Sequence, residues 1–127
     1  MQFHHAGIAT DDAIALADRF GVLFDAPIAH EQVFDDMLIV FCELETGYFE
    51  LLEPQDGGVI AAYLDDHGPG VHHLAIGTDD IEGALETARE ADIDLIDSEP
   101  RAGAWGHQVA FLHPGSTGGV LVEFVAI

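Results

Sequence analysis

The apolar residues in the first half of the chain follow two periodicities in turn. Alternation at every second position predicts strands, whereas spacing by three or four residues predicts helices. The first half begins with a predicted strand at 4–9 and continues with a predicted helix at 12–24. It ends in a predicted hairpin with a Glu-Thr-Gly turn. The strands of that hairpin are MLIVFCEL (37–44) and YFELLEP (48–54). The residues that we expect the helix to bury are Ile14, Ala17, Phe20 and Val22.

The second half repeats the order of strand, helix and further strands, with three strands after the helix where the first half has two. A strand that starts at His72 precedes a helix at 81–91. Three strands are then predicted, at IDLID (93–97), HQVAFLHP (107–114) and GVLVEFVAI (119–127). The residues at helical spacing on the buried side of the helix are Ile81, Leu85 and Ala88. Between the halves, a glycine-rich stretch at 55–70 contains a short predicted helix at 59–65.

The two halves also share a motif. HHAGIATDD (4–12) and HHLAIGTDD (72–80) have both histidines, the isoleucine, the threonine and both aspartates in common. We expect the Thr-Asp-Asp of each copy to cap the helix that follows. Two copies of a βαβββ unit predict an α+β fold of paired modules. The modules fall at about 1–54 and 70–127 of a single domain over 1–127, with a linker at 55–69.

Adjacent histidines in a strand point to opposite faces of the sheet. His4 and His72 share their faces with bulky apolar residues, and we expect them to pack. His5 and His73 are followed on their faces by small residues, which leave the space that the wall of a cavity needs. We therefore expect His5 and His73 to line a cavity.

Each module also ends in a strand with one acid among apolar residues, Glu50 in YFELLEP and Glu123 in VLVEFVAI. Burying a carboxylate is costly unless it is paired or bound to a metal. A lone strand histidine is usually structural, but the matched pairs predict a metal site of His5, Glu50, His73 and Glu123. Such a donor set suits Co²⁺, our first choice, or Ni²⁺, Mn²⁺, Zn²⁺ or Fe²⁺.

The four remaining histidines outside the repeat have no matched partner. His30 and His67 are expected at the surface, and His113 in FLHP is expected to be a structural strand end. No role is assigned to His107.

The charge is strongly one-sided. The chain has 24 acidic residues against three basic ones, which are arginines, and a net charge of −21. Such a surface repels nucleic acid and anionic membranes, so we exclude both as partners. No apolar run is long enough to span a membrane, and no signal pattern opens the sequence, so we expect a cytoplasmic protein. Cys42 is the only cysteine and cannot form an intrachain disulfide.

The absence of lysine together with this charge predicts adaptation to high salt. At ~1 M salt the Debye length is about 3 Å, so most self-repulsion is screened. We expect the free energy of unfolding and the activity to rise steeply as KCl approaches molar concentrations. Thermal unfolding in a KCl series measures this, and full stability at ~10 mM salt, where the Debye length is about 30 Å, would contradict it.

Four stretches resemble the vicinal oxygen chelate superfamily, the glyoxalase and bleomycin-resistance fold, and within it the methylmalonyl-CoA epimerase family. They are HHAGIAT, ELLEP (50–54), GPGVHHLAI (68–76) and DSEPRAGAWGHQVAFLHPGSTGGVLVEF (97–124). The first and third are widespread in the superfamily, whereas EPR-x-G and FLHP-x-S-x-GGVL-x-E are more specific. The resemblance covers nearly the full length. It implies a U-shaped cup of sheet, an acyl-CoA substrate and a homodimer.

The resemblance also implies roles for individual residues. The family's metal ligands map to His5, Glu50, His73 and Glu123, with Glu123 acting as both ligand and base. The reaction implied is epimerisation through a metal-stabilised enolate, with Glu50 or a water serving the opposite face. The second catalytic glutamate of several epimerases aligns near Val40, so one proton carrier is left unassigned.

Two alternatives stay open, and the basic residues bear on both. Relatives often have a lysine where this chain has Gly115, and Arg101 is the only basic residue nearby in the sequence. The substrate could therefore be something other than a CoA ester. The alternatives are another enzyme of the superfamily, a glyoxalase-type isomerase or a dioxygenase, and a metal-free small-molecule-binding module.

Overall fold

The structure, a computed structural model, describes all residues from Met1 to Ile127. Its strands are β1 (Gln2–Ala9), β2 (Ile28–Phe34), β3 (Met37–Leu44), β4 (Gly47–Pro54), β5 (Gly70–Thr78), β6 (Arg101–Ala102), β7 (Gln108–Leu112) and β8 (Val122–Ala126). Its helices are α1 (Ala13–Phe24), α2 (Val59–His67) and α3 (Ile81–Glu90). Each half of the chain therefore runs βαβββ, which is the order that the repeat predicts.

The chain divides into two compact units, residues 5–72 and residues 73–127 together with residues 1–4. In the first unit the strand order is β2-β3-β4-β1, and β4 runs antiparallel to β3 but parallel to β1. In the second unit the order β5-β8-β7-β6 repeats this arrangement, with β8 antiparallel to β7 and parallel to β5. Both modules thus have the same topology. The single domain over 1–127 stays a prediction.

In the unit of residues 5–72, α1 packs on one face of the sheet through small side chains. Ala13 and Ala17 lie against Val40, Cys42 and Leu51, all five of them buried. The alanines let the helix approach the strands closely. The larger apolar residues of the helix pack at the margins of this contact. The partly buried residues that complete this core include Ile8, Leu16, Phe20 and Phe49.

The prediction for the buried side of α1 is wrong at two of its four positions. Ala17 is buried and Phe20 packs against the core, as expected. Ile14 is exposed instead, and Val22 has 87% of its surface exposed. The cause is the orientation of α1 about its own axis. The side of the helix that carries the alanines faces the sheet, so Ile14 and Val22 lie on the side that faces solvent.

In the unit of residues 73–127, α3 buries the predicted residues Ile81, Leu85 and Ala88. Ile81 and Leu85 pack against Ala110 of β7. The opposite face of these strands carries a separate cluster of Ala75, Val109 and Val125. Each unit therefore packs a helix on one face of its strands.

The predicted helix caps are confirmed. Asp12 Oδ1 accepts a hydrogen bond from the Ala15 N–H at 3.1 Å, and Asp80 Oδ1 accepts one from the Gly83 N–H at 3.0 Å. These carboxylates satisfy amide groups that a helix N-terminus leaves without partners. None of the three helices is long and apolar enough to cross a membrane.

The strand predicted at 93–97 is wrong. Only Leu95 makes a bridge to Leu112, and β6 forms further along, at Arg101–Ala102. The ladder is interrupted because the Ile96 and Asp97 amides both donate to the Phe111 carbonyl. The Asp97 carboxylate, in place of a backbone carbonyl, accepts the Phe111 N–H at 2.8 Å.

The sequence pattern does not predict β2, which lies at the edge of its unit. Its residues are exposed or half-buried throughout. Because neither face of this strand is fully covered, its sequence lacks the apolar alternation that marks the other strands.

Cys42 lies fully buried in the α1-facing core, and burial raises the pKa of its thiol above the ordinary value of 9.0. Since the thiolate is the reactive form, we expect iodoacetamide to label the folded chain at least ~100-fold more slowly than the unfolded chain. Above pH 9.0 the unfolded thiol ionises first, so this group's contribution to the free energy of unfolding falls as pH rises. Equal labelling rates in native and denaturing buffer would contradict the burial.

Candidate metal-binding and catalytic residues

In the unit of residues 5–72, β1 and β4 bring a histidine and a glutamate together. Glu50 pairs with Gly7 in the parallel ladder, and His5 lies two residues before Gly7 on the same face. His5 Nε2 lies 3.3 Å from Glu50 Oε1, and both side chains are buried.

The unit of residues 73–127 builds the same pair from β5 and β8. Glu123 pairs with Ala75, and His73 lies two residues before it. His73 Nε2 lies 3.6 Å from Glu123 Oε1, and both side chains are buried. The small residue in register is alanine here and glycine in the other unit, so the two pairs occupy equivalent positions in their modules.

The neighbouring histidines behave as packing residues, as the alternation predicts. The His4 ring lies edge-on to His107 with centroids 5.1 Å apart, and the His72 ring lies edge-on to Tyr63 at 4.9 Å. His5 and His73 point to the other faces, each toward its glutamate. The predicted packing role of His4 and His72 matches these contacts. The site role of His5 and His73 stays a prediction.

A phenylalanine accompanies each pair, and neither was predicted from the sequence. Phe41 of β3 is in register with Glu50, and its ring meets the His5 ring edge-on with centroids 5.8 Å apart. Phe111 of β7 is in register with Glu123, and its ring meets His73 in the same way at 5.5 Å. Placing the two predicted hairpins in register would have revealed this match.

Two of the three arginines form ion pairs with acids other than the buried glutamates. Arg89 pairs with Glu86 and Arg101 with Asp97. Each buried glutamate lies beside an imidazole instead, and His5, His73 and Glu123 are groups that can ligate a metal ion. The two donors of each pair are 3.3 and 3.6 Å apart. Two ligand atoms that each lie about 2.0 to 2.2 Å from one tetrahedral ion are about 3.3 to 3.6 Å apart, so the separation in each pair fits this role.

Three of the histidines outside the repeat are structural or exposed. His113 Nδ1 accepts a hydrogen bond from the Gly115 N–H at 3.0 Å, which confirms its role at a strand end. His67 is exposed and stacks on Tyr63. His107 is half-buried beside His4.

The surface position expected for His30 is wrong. Its ring is half-buried, bonds to Gln32 at 3.0 Å and lies 6.3 Å from the ring of Phe41. The cause is that His30 pairs with Phe41 across the β2–β3 ladder, which puts both on the same face.

Val40 is fully buried in the core that faces α1. Since Phe41 and Glu50 are directly paired across β3 and β4, Val40 points away from Glu50. The aligned position of the second glutamate therefore holds no proton carrier in this chain.

The fold and these pairs define a class of protein. Residues 4–111 match the Glyoxalase/Bleomycin resistance protein/Dioxygenase superfamily, and the chain belongs to this superfamily. Within it the chain is 36% identical over 126 residues to a mitochondrial methylmalonyl-CoA epimerase of Dictyostelium discoideum, covering 96% of this chain and 76% of that one. It is 33% identical over 127 residues to an ethylmalonyl-CoA/methylmalonyl-CoA epimerase of Cereibacter sphaeroides, covering 96% and 95%.

A solved structure gives the same result. A variant of the Streptomyces coelicolor methylmalonyl-CoA epimerase in complex with 2-nitronate-propionyl-CoA matches with a TM-score of 0.93 and 28% identity, over 99% of this chain and 94% of that one. These likenesses confirm three predictions: the α+β fold of paired βαβββ modules, the resemblance to methylmalonyl-CoA epimerase, and the enzymatic nature of the chain.

Proposed function

We propose that this chain is a metal-dependent epimerase that interconverts (2R)- and (2S)-methylmalonyl-CoA through an enolate. The observation that carries the proposal is the buried His–Glu pair, built twice at equivalent strand positions. The likeness to epimerases over 96% of the chain supports the reaction. A homodimer and a cytoplasmic location, which the sequence analysis expects, remain part of the proposal.

The proposed metal ligands are His5, Glu50, His73 and Glu123, which would hold one divalent ion. Two imidazoles and two carboxylates suit a first-row ion, and Co²⁺ remains our first choice. The separation of the donors within each pair supports the assignment, as does the cost of burying a carboxylate that has no counter-charge. Such an ion would supply Lewis-acid chemistry beside the substrate, which favours the development of negative charge there.

The protein's own residues move the proton. The carboxylate of Glu123 takes the proton from C2 of the malonyl thioester, and the electron pair of the C–H bond passes into the enolate. Glu50 or a water returns a proton to C2 from the opposite face. Reaction in the other direction exchanges the two roles. With Val40 directed into the core, Glu50 is the carboxylic acid in the equivalent position to Glu123.

Proton–deuterium exchange at C2 tests the proposal directly. With methylmalonyl-CoA in D₂O, molar KCl and added Co²⁺, we expect deuterium at C2 and a mixture of both epimers from either starting epimer. Loss of the C2 signal without inversion would contradict the assignment of two proton carriers. No exchange at all, from a folded and metal-loaded chain, would contradict epimerisation and favour another chemistry of the superfamily.

A further inference from the structure

Arg101 lies on the same face of its strands as the His73–Glu123 pair. Arg101 of β6 pairs with Val109 of β7, and Phe111, two residues beyond Val109, pairs with Glu123 of β8. Directly paired residues share a face of a sheet, as do residues two apart along a strand. Val109 packs with Ala75 on that face, whereas α3 covers the other one.

Two contacts hold the Arg101 side chain in place. Its guanidinium carbon lies 5.5 Å from the centre of the Phe111 ring, within the range of a cation–π interaction. Its Nε donates to Asp97 Oδ1 at 3.1 Å, and the other oxygen of Asp97 accepts the Phe111 N–H. Because Asp97 is tied to the backbone, the guanidinium is held in a defined position before any ligand arrives.

The charge on Arg101 is close to the proposed site. The Phe111 ring under its guanidinium also meets the His73 ring edge-on. A single aromatic side chain therefore separates Arg101 from His73. Arginine has five N–H donors, and the bond to Asp97 uses Nε, which leaves the terminal amino groups for an anion. The side chain is 48% exposed, so a ligand can reach it.

The other two arginines lie elsewhere. Arg19 is exposed on α1, and Arg89 is bound to Glu86 and to the Ser98 carbonyl beside α3. In a chain with 24 acidic and three basic residues, an anionic substrate meets repulsion almost everywhere. A malonyl-CoA ester carries both a carboxylate and phosphates, so a cation on the site face is the group that it requires.

We infer that Arg101, held by Phe111 and Asp97, is an anion-binding residue that receives an oxyanion of the substrate. The ligand chemistry is a carboxylate or a phosphate, which a planar guanidinium binds through two parallel hydrogen bonds. Arg101 would thus take part in substrate recognition by the proposed epimerase. The choice of a malonyl-CoA ester as the ligand rests on the proposed function.

Arg101→Gln tests this, with Arg101→Lys as the conservative variant and Arg19→Gln as the matched control. All three change exposed side chains, and both glutamine variants remove one positive charge. Each is compared with the unchanged chain for two ligands, methylmalonyl-CoA and methylmalonyl-pantetheine, which lacks the nucleotide phosphates. Calorimetry gives Kd, C2 exchange gives KM and kcat, and circular dichroism in the same KCl buffer confirms the fold.

For Arg101→Gln we expect Kd and KM to rise about 10-fold, because a charge-assisted hydrogen bond to the substrate is lost. The kcat should stay within about twofold of that of the unchanged chain, since this bond is made equally in the ground state and the transition state. The lysine variant should recover part of the loss, and Arg19→Gln should match the unchanged chain. A rise for the CoA ester alone identifies a phosphate, and a rise for both ligands identifies the malonyl carboxylate.

Unchanged Kd for both ligands would overturn the inference, as would an equal loss in Arg19→Gln. A fall in kcat at constant Kd would also overturn it. If the unchanged chain binds methylmalonyl-CoA but exchanges no proton, the proposed function fails, while Kd still decides the role of Arg101.

Discussion

Glu123→Gln is expected to lower C2 proton exchange, in the epimer whose proton Glu123 removes, by at least ~100-fold while the fold and most of the bound metal remain. Glutamine keeps the shape of the side chain and one oxygen for the ion, but it cannot accept a proton. General bases typically contribute 10²- to 10⁴-fold to a rate. Exchange is measured by NMR in D₂O, and metal content by elemental analysis, both in molar KCl so that unfolding is not mistaken for lost chemistry.

Glu50→Gln is the matched control, because it makes the same change at the equivalent position of the other module. We expect this variant to exchange the C2 proton of one epimer but to lose inversion. Retention of both metal and exchange in Glu123→Gln would remove Glu123 from the mechanism. Loss of both would make Glu123 chiefly a ligand and leave the base to be found elsewhere.

His73→Ala is expected to lower exchange by more than ~100-fold through loss of the metal. The loss of groups that only support metal ligands already costs 10- to 100-fold in affinity or activity, so removal of a ligand should cost at least the upper figure. The measurement is exchange activity together with bound Co²⁺ after gel filtration.

The control for this prediction is the neighbouring residue on the same strand. His72 points to the opposite face and packs against Tyr63, so His72→Ala should keep its metal and most of its activity. Equal loss in the two variants would indicate that β5 is merely destabilised. Metal retained in His73→Ala would contradict its role as a ligand.

The features that the sequence predicted are those with local physical signatures. The repeated Thr-Asp-Asp predicts caps because a carboxylate at that position can reach free amides, and Asp12 and Asp80 do so. The alternation of large and small residues after each His-His separates His5 from His4 by face. An acid inside an apolar strand is costly, and for this reason Glu50 and Glu123 stood out.

The features that were missed depend on how distant segments meet. Nothing local distinguishes Phe41 or Phe111 from ordinary core residues until their strands are placed in register with the glutamates. The segment at 93–97 has the composition of a strand, but the side chain of Asp97 replaces a ladder bond. That same carboxylate fixes Arg101, which the sequence could identify only as a basic residue nearby in the chain.

The most direct test of the account is the number of Co²⁺ ions that the folded chain binds. Titration in molar KCl, followed by visible absorption and calorimetry, gives the stoichiometry per chain. Since the two His–Glu pairs are proposed to share one ion, we predict one Co²⁺ per chain, lost in both His5→Ala and His73→Ala. Two ions per chain, with each variant losing only one, would show that the pairs bind separately and would contradict the account.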